Sequence, residues 1–271
     1  ARAGRVPSDF ASGRAGTMPL LRVSVAALAA GCAVEMERLE QGLRSPGFFA
    51  CEAPGPPGGG GLRGAYAASR RLHAHDAGLA KDARPWVRGK PSGRPRRWWF
   101  TAARWQVWPG EPGLPEAAAE LRAADAWLAG AAAVLAAAAT QVLGLHRDAL
   151  ANAPCWAMLR GLRYARAEEA EDDVGIPAHT DFGDFTLCHG DGEGLEAWQR
   201  ERRAWLPLPA GRLLFLAGTG LERKSRGAVR AVRHRVRLTS AERLSFCRLH
   251  GVKPAHAGGQ ARATPAPAPA P

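Results

Sequence analysis

No C-x-x-C pair occurs in this chain, and its five cysteines (Cys32, Cys51, Cys155, Cys188 and Cys247) are odd in number and widely spaced. That pattern excludes a disulfide scaffold and fits reduced thiols in an intracellular, cytoplasmic setting. The apolar runs all stop short of the roughly 18 residues a membrane-spanning helix needs, so no membrane partner is expected. Lysine is scarce, at 4 of the 37 basic residues. A formal charge of +12 invites a nucleic-acid reading. The arginines are scattered rather than striped, however, and no aromatic-studded nucleic-acid motif accompanies them. The Ala, Gly, Arg and Pro content is the mark of biased codon usage.

What is present points elsewhere. A length of 271 residues gives room for one sizeable domain with a full core. The stretch from Gly175 to Ser245 carries the chemistry. His179 and Asp181 lie two apart, so on a β-strand their side chains leave the same face. Val232, His234, Val236 and Leu238 alternate with Arg233, Arg235 and Arg237, which sets one imidazole among aliphatics on a buried face. Two histidines and one carboxylate, with three positions left open, are the ligand set with which non-haem Fe(II) oxygenases bind iron and O2 together. Arg243 and Ser245 follow, again two apart. A buried guanidinium without a partner is costly, and its fork fits a carboxylate in bidentate geometry. The expected partner is a carboxylate brought in by a ligand.

The order His-x-Asp, about fifty residues, His, then Arg-x-Ser resembles the Fe(II)/2-oxoglutarate-dependent dioxygenase superfamily, in its isopenicillin N synthase-like branch. Gly194-Leu195-Glu196-Ala197-Trp198, Trp205-Leu206-Pro207-Leu208-Pro209 and Gly211-Arg212-Leu213-Leu214-Phe215-Leu216 follow the family order. Leu221-Glu222-Arg223 and Gly227 stand where the family has its run before the last histidine. The resemblance implies a mainly β fold with flanking helices, a double-stranded β-helix (jelly-roll). It implies Fe(II) on His179, Asp181 and His234, with O2 and 2-oxoglutarate as cosubstrates. Arg243 and Ser245 would hold the far carboxylate of 2-oxoglutarate, and Tyr164 stands where a family tyrosine often hydrogen-bonds it. The substrate would be a small organic molecule and the protein a monomer.

Along the chain, residues 1–17 read as a disordered or targeting leader, whose basic character with the single acid Asp9 also suits an organelle transit peptide. Residues 18–150 are the N-terminal helical and strand region. A first strand is predicted at Pro19–Val25, one helix at about Ala26 to Leu43, and a strand at Ser45–Glu52 that resembles the family's N-terminal strand. Pro54–Gly61 is a loop by composition. Leu62–Ala80 has helical spacing, with His73 and His75 on a solvated face because residues two apart on a helix cannot share an ion. Lys81–Thr101 carries Trp86, Trp98, Trp99 and Phe100; a substrate-facing rim is one reading, and packing onto the barrel is favoured for most of them. Trp105–Pro109 resembles the landmark before the family's long helix, here predicted from Leu114 to Leu143 and stopped at Gly144. Residues 151–253 are the jelly-roll core, with a strand at Cys155–Tyr164 and an acidic surface loop at Ala167–Asp173. Residues 254–271 are a Pro/Ala tail, extended or disordered.

A second His-x-Asp, His189-Gly190-Asp191, lies in glycine-rich turn text and is assigned to a hairpin, with His189 a candidate for touching substrate at the cavity mouth. Zinc would prefer three histidines or a cysteine-containing set, which the spacing does not offer. Three departures from the family bear on pocket lining and not on the ligands: Gly218-Thr219-Gly220 for Gly-Asp, a Leu221–Gly227 run without Trp or Asn, and a short hairpin after Asp181. Two other readings stand beside the oxygenase. One is a metal-binding jelly-roll without turnover, and the other is a basic nucleic-acid module.

Overall fold

The computed structural model describes residues 20–55, 62–77, 88–89, 97–103, 114–151, 157–170 and 173–251. The predicted leader, the Pro/Ala tail, Trp86 and the Trp105–Pro109 landmark lie outside these described residues, as does most of the Pro54–Gly61 loop.

The chain opens with β1 (Arg22–Ser24), which runs straight into α1 (Val25–Ala29). Ser24 caps this helix by accepting from the Ala27 amide at 3.2 Å. The single helix predicted over Ala26–Leu43 is in fact two. Gly31 takes a left-handed φ of 73°, Cys32 is extended, and α2 (Ala33–Arg44) starts afresh. Glycine supplies that conformation at no steric cost, and Glu35 at the new N-terminus accepts from the Ser24 amide at 2.8 Å.

After β2 (Phe48–Glu52) come α3 (Arg63–Ala77), β3 (Arg88–Gly89) and β4 (Arg97–Ala103). The long helix α4 (Pro115–Val142) has proline in its first turn, where no amide donor is needed, and stops before Gly144 at φ 59°. Leu121, Leu128 and Leu135, seven apart, are fully buried, and burial of each contributes about 1.5–3 kcal/mol. By length and composition α4 could cross a membrane, but half of its most apolar stretch is buried in this fold. It packs on α1, α2, α3 and the last strand of the chain.

The core follows as β5 (Ala157–Tyr164), a 3-10 turn at Ala167–Glu169, β6 (Val174–His179), β7 (Phe185–Gly190), β8 (Leu195–Gln199), β9 (Ala204–Pro207) and β10 (Leu213–Ala217). It ends with α5 (Thr219–Lys224), β11 (His234–Arg237) and β12 (Arg243–His250). The strands form two sheets, ordered β1-β2-β10-β7-β12-β5-β4-β3 and β6-β11-β8-β9. All pairings are antiparallel except β1 with β2. The two sheets face one another as a jelly roll with helices on the outer face of the larger one, and a cavity lies between them.

The two-residue period of the strands sorts the side chains. On β12, Arg243, Ser245, Cys247 and Leu249 line the cavity. Their neighbours face the helices: Phe246 lies 5.0 Å from the Tyr66 ring of α3, and Arg248 pairs with Asp125 of α4. His73 departs from its predicted solvated setting. It is buried, donating from Nδ1 to the Ser69 carbonyl at 2.7 Å, with its ring 6.0 Å from Phe100. The helix face that carries it is covered by the sheet, which helical spacing alone could not reveal. Trp99 and Phe100 pack on the core as predicted.

Candidate metal centre

His179 is the last residue of β6, and His234 is the first of β11, directly opposite it in the antiparallel register. Their ring centroids are 4.3 Å apart. Asp181 stands beyond the end of β6 and not on the strand, so its approach to His179 is the work of a turn. The Asp181 carbonyl accepts from the Thr219 amide at 2.9 Å, and Gly218 and Gly220 donate their amides to Asp184 and Gly183 at 2.8 Å each. A Cβ on Gly218 would come within 2.2 Å of the Gly183 oxygen. The glycines that replace the family's Gly-Asp therefore permit the close backbone contact that fixes this turn.

One ligand atom from each of His179, Asp181 and His234 can be chosen so that all three lie within 4.8 Å of one another. Nε2 of His179 is 3.7 Å from Asp181 Oδ1, and Nε2 of His234 is 3.9 Å from Oδ2. Each imidazole donates from Nδ1 to the carbonyl two residues earlier, Pro177 at 2.9 Å and Val232 at 3.1 Å. A carbonyl only accepts, so both rings hold their proton on Nδ1 and present the Nε2 lone pair to the centre. Burial, and next to it the neighbouring His234, hold the His179 imidazole below its ordinary pKa, which favours the neutral ligand form. Asp181 Oδ2 accepts from the Thr186 hydroxyl at 2.6 Å. Thr186 escaped the sequence reading, because nothing in its local text marks it as a partner of Asp181.

Across the same cavity, Arg243 and Ser245 share the inner face of β12. Arg243 is 3 % exposed; its Nε donates to the Gly192 carbonyl at 3.1 Å, and its guanidinium lies 5.1 Å from the centre of the Tyr164 ring. A Cβ on Gly190 would sit 2.5 Å from its Nη2, so only glycine leaves the guanidinium room. Arg243 Nη1 and Ser245 Oγ are both buried without a hydrogen-bond partner. No carboxylate of the described residues answers Arg243: Glu242 pairs with Arg163 at 2.6 Å, and Glu222 is taken by Arg230 and the Ala231 amide. Two orphaned donors on one face fit an incoming carboxylate. Tyr164 is buried opposite Arg243, and burial raises its phenol, which stays neutral.

His189 does not reach this cavity. It lies on β7 and not in the predicted turn, and strand alternation turns it outward, where Nδ1 meets the Tyr66 hydroxyl at 2.7 Å. Cys188, next to it, faces inward and lies 3.3 Å sulfur to sulfur from the free thiol of Cys247.

Residues 155–251 match the family described as the 2OG-Fe(II) oxygenase superfamily. That match covers about a third of the chain. Two curated relatives align with it in part. A 2-oxoglutarate-dependent dioxygenase, tropC, of Talaromyces stipitatus is 34% identical over 92 residues, 32% of this chain and 28% of that protein. The chloroplastic 2-oxoglutarate-dependent dioxygenase 21 of Oryza sativa subsp. japonica is 34% identical over 84 residues, 30% of this chain and 25% of its own length. The matched stretch thus spans under a third of either relative. The fold likeness is wider. The rice dioxygenase for auxin oxidation superposes with a TM-score of 0.69 at 20% identity, covering 87% of this chain and 84% of that one. The dioxygenase for auxin oxidation 1 of Arabidopsis thaliana, in its complex with 2-oxoglutarate, gives 0.67 at 16% identity, covering 87% and 93%. The matched segment holds both the histidine–aspartate cluster and the orphaned arginine.

Proposed function

We propose that the protein is an Fe(II)- and 2-oxoglutarate-dependent oxygenase that oxidises a small organic molecule with O2. The observation that carries this reading is a pairing within one cavity: a His179–Asp181–His234 cluster at one end, and a buried Arg243 with an unsatisfied donor beside Ser245. Neither half alone would distinguish a metal site from a structural ion pair.

On this reading His179, Asp181 and His234 hold Fe(II) on one face and leave three positions for ligands. The Pro177 and Val232 carbonyls fix the ring tautomers, and Thr186 orients the Asp181 carboxylate. Arg243 and Ser245 receive the far carboxylate of 2-oxoglutarate, with Tyr164 flanking them. The aliphatic walls, among them Leu162, Leu195 and Val236, exclude water and strengthen each of these polar contacts. When bound, iron and 2-oxoglutarate supply the oxidising chemistry, in which the cosubstrate is converted to succinate and CO2.

The test is succinate formation from 2-oxoglutarate by iron-loaded protein, with and without an added pool of small metabolites. Metal-dependent succinate supports the assignment. Metal binding without any succinate would favour the reading as a jelly roll that binds metal but does not turn over.

A further inference from the structure

Arginines of the core sheets divide by the face they occupy. Those that point outward are matched with carboxylates: Arg163 with Glu242, Arg248 with Asp125, and Arg235 with Glu196. Arg97, Arg160 and Arg243 lie on the inward rows, where Arg97 and Arg243 both stand opposite Tyr164, and Arg160 stands opposite Cys247. None of these three has a carboxylate partner among the described residues. Arg243 is accounted for by 2-oxoglutarate, which leaves two cations unexplained.

Arg160 lines the same cavity as His179, Asp181 and His234. Its Nε is buried with no acceptor, and Nη2 reaches only the Met158 sulfur at 4.0 Å. Arg97, four residues further along the ladder, lies over the Trp99 ring at 5.0 Å. Burial lowers the Arg97 guanidinium from its ordinary value, and the charge of Arg160 pushes the same way. A guanidinium on a partly buried wall, with its Nε orphaned and no carboxylate partner among the described residues, favours an incoming anion. Apolar side chains lie near it in the cavity, Leu162 and Leu249 on the same sheet and Ile176 on the facing one.

We propose that Arg160 is the anion subsite for the substrate, and that the substrate is a small organic carboxylate with an apolar body. The inference rests on the oxygenase reading above and names its substrate class. The planar Nε–Nη edge of Arg160 matches a carboxylate in bidentate geometry. Arg160 is one cross-strand step from Cys247 and two from Cys188.

The experiment uses the full chain loaded with Mn(II), which does not turn over, and saturating 2-oxoglutarate, so that Arg243 is already occupied. Monocarboxylic acids from butyrate to 3-phenylpropionate, each paired with its methyl ester, are titrated by calorimetry. At least one acid is expected to bind about tenfold or more tightly than its ester, as suits a charge-assisted contact. Arg160→Gln should bring that ratio to within about threefold, and Arg160→Lys should keep part of it. Thermal melts of both variants establish that they are folded. Equal binding of acid and ester, no binding by any acid, or an acid preference that survives in Arg160→Gln overturns the proposal. The affinity for 2-oxoglutarate separates the two levels. If it binds normally and no acid preference exists, only the carboxylate subsite fails; if it does not bind, the oxygenase reading fails first.

Discussion

His179 and His234 face one another across the β6–β11 ladder, and each donates its Nδ1 proton to the carbonyl two residues earlier in the chain. The same local device on two facing strands aims both Nε2 lone pairs at Asp181. Fe(II) binding should therefore vanish in Asp181→Ala or His234→Ala. It should survive in His189→Ala, whose ring lies on the opposite face of β7. Thr186→Val, which removes only the hydroxyl that orients Asp181, should weaken metal binding by about 10–100-fold. Equilibrium dialysis against Fe(II) under anaerobic conditions reads all four, and metal loss in His189→Ala would mean that the wrong histidine pair had been chosen.

Arg243→Gln keeps some length and polarity but loses the charge. A charge-assisted hydrogen bond contributes about 1.5–3 kcal/mol, so affinity for 2-oxoglutarate should fall by about ten- to a hundredfold. Metal binding should persist. Because neither Glu222 nor Glu242 pairs with Arg243, the variant loses no ion pair, and its melting temperature should change little. Unchanged cosubstrate affinity in a folded, metal-loaded variant would remove 2-oxoglutarate from the mechanism.

The sequence was most legible where side chains alternate. Val232 to Leu238 announced a half-buried strand, and Arg243 and Ser245 were put on one inward face by their spacing alone. It was less legible wherever a neighbour distant in sequence decides the outcome. The two-residue spacing of His179 and Asp181 suits a strand and a turn equally, and the turn exists because α5 docks on it through Gly218 and Gly220. His189 sits in glycine-rich text that reads as a loop, yet β7 extends through it because β10 and β12 flank it on both sides. Gly31 splits a helix that composition joined. Arg160 and Arg97 were indistinguishable from the outward arginines until the pairing register assigned them a face.

Gly161 marks a close approach that composition hides. It stands opposite both Phe100 and Phe246 in the ladder, and a Cβ there would meet Phe100 Cζ at 2.1 Å. Phe100 is 1 % exposed and has no room to swing aside. Gly161→Ala should cost about 1–3 kcal/mol by overpacking, and Gly161→Val more. Chemical denaturation measures the loss. Metal affinity should be unaffected, since Gly161 faces the helices and the metal ligands face the cavity. A neutral Gly161→Ala would show that the sheet yields at this point.

His250 gives the fold an acid sensitivity of its own. Its Nε2 donates to the Leu150 carbonyl at 2.9 Å, and its ring stacks on Phe185 at 4.3 Å. Burial, chiefly, pushes its pKa down from 6.5 to about 4, with the charges of Arg248 and Lys224 adding to the effect. Between those two values the unfolded chain binds a proton that the native chain refuses. Stability is therefore complete above about pH 6.5, falls as pH drops, and levels off near pH 4. The loss amounts to about 3 kcal/mol at 1.36 kcal/mol per pKa unit. His189 is also lowered by burial, so the wild-type profile sums more than one group. The difference between wild type and His250→Gln isolates this one, because glutamine keeps a donor for Leu150 and does not titrate. Urea denaturation from pH 7.5 to 4 should show a flatter dependence in the variant, even if its stability at pH 7.5 is lower. Parallel curves for the two proteins would mean that His250 takes up its proton in the folded state.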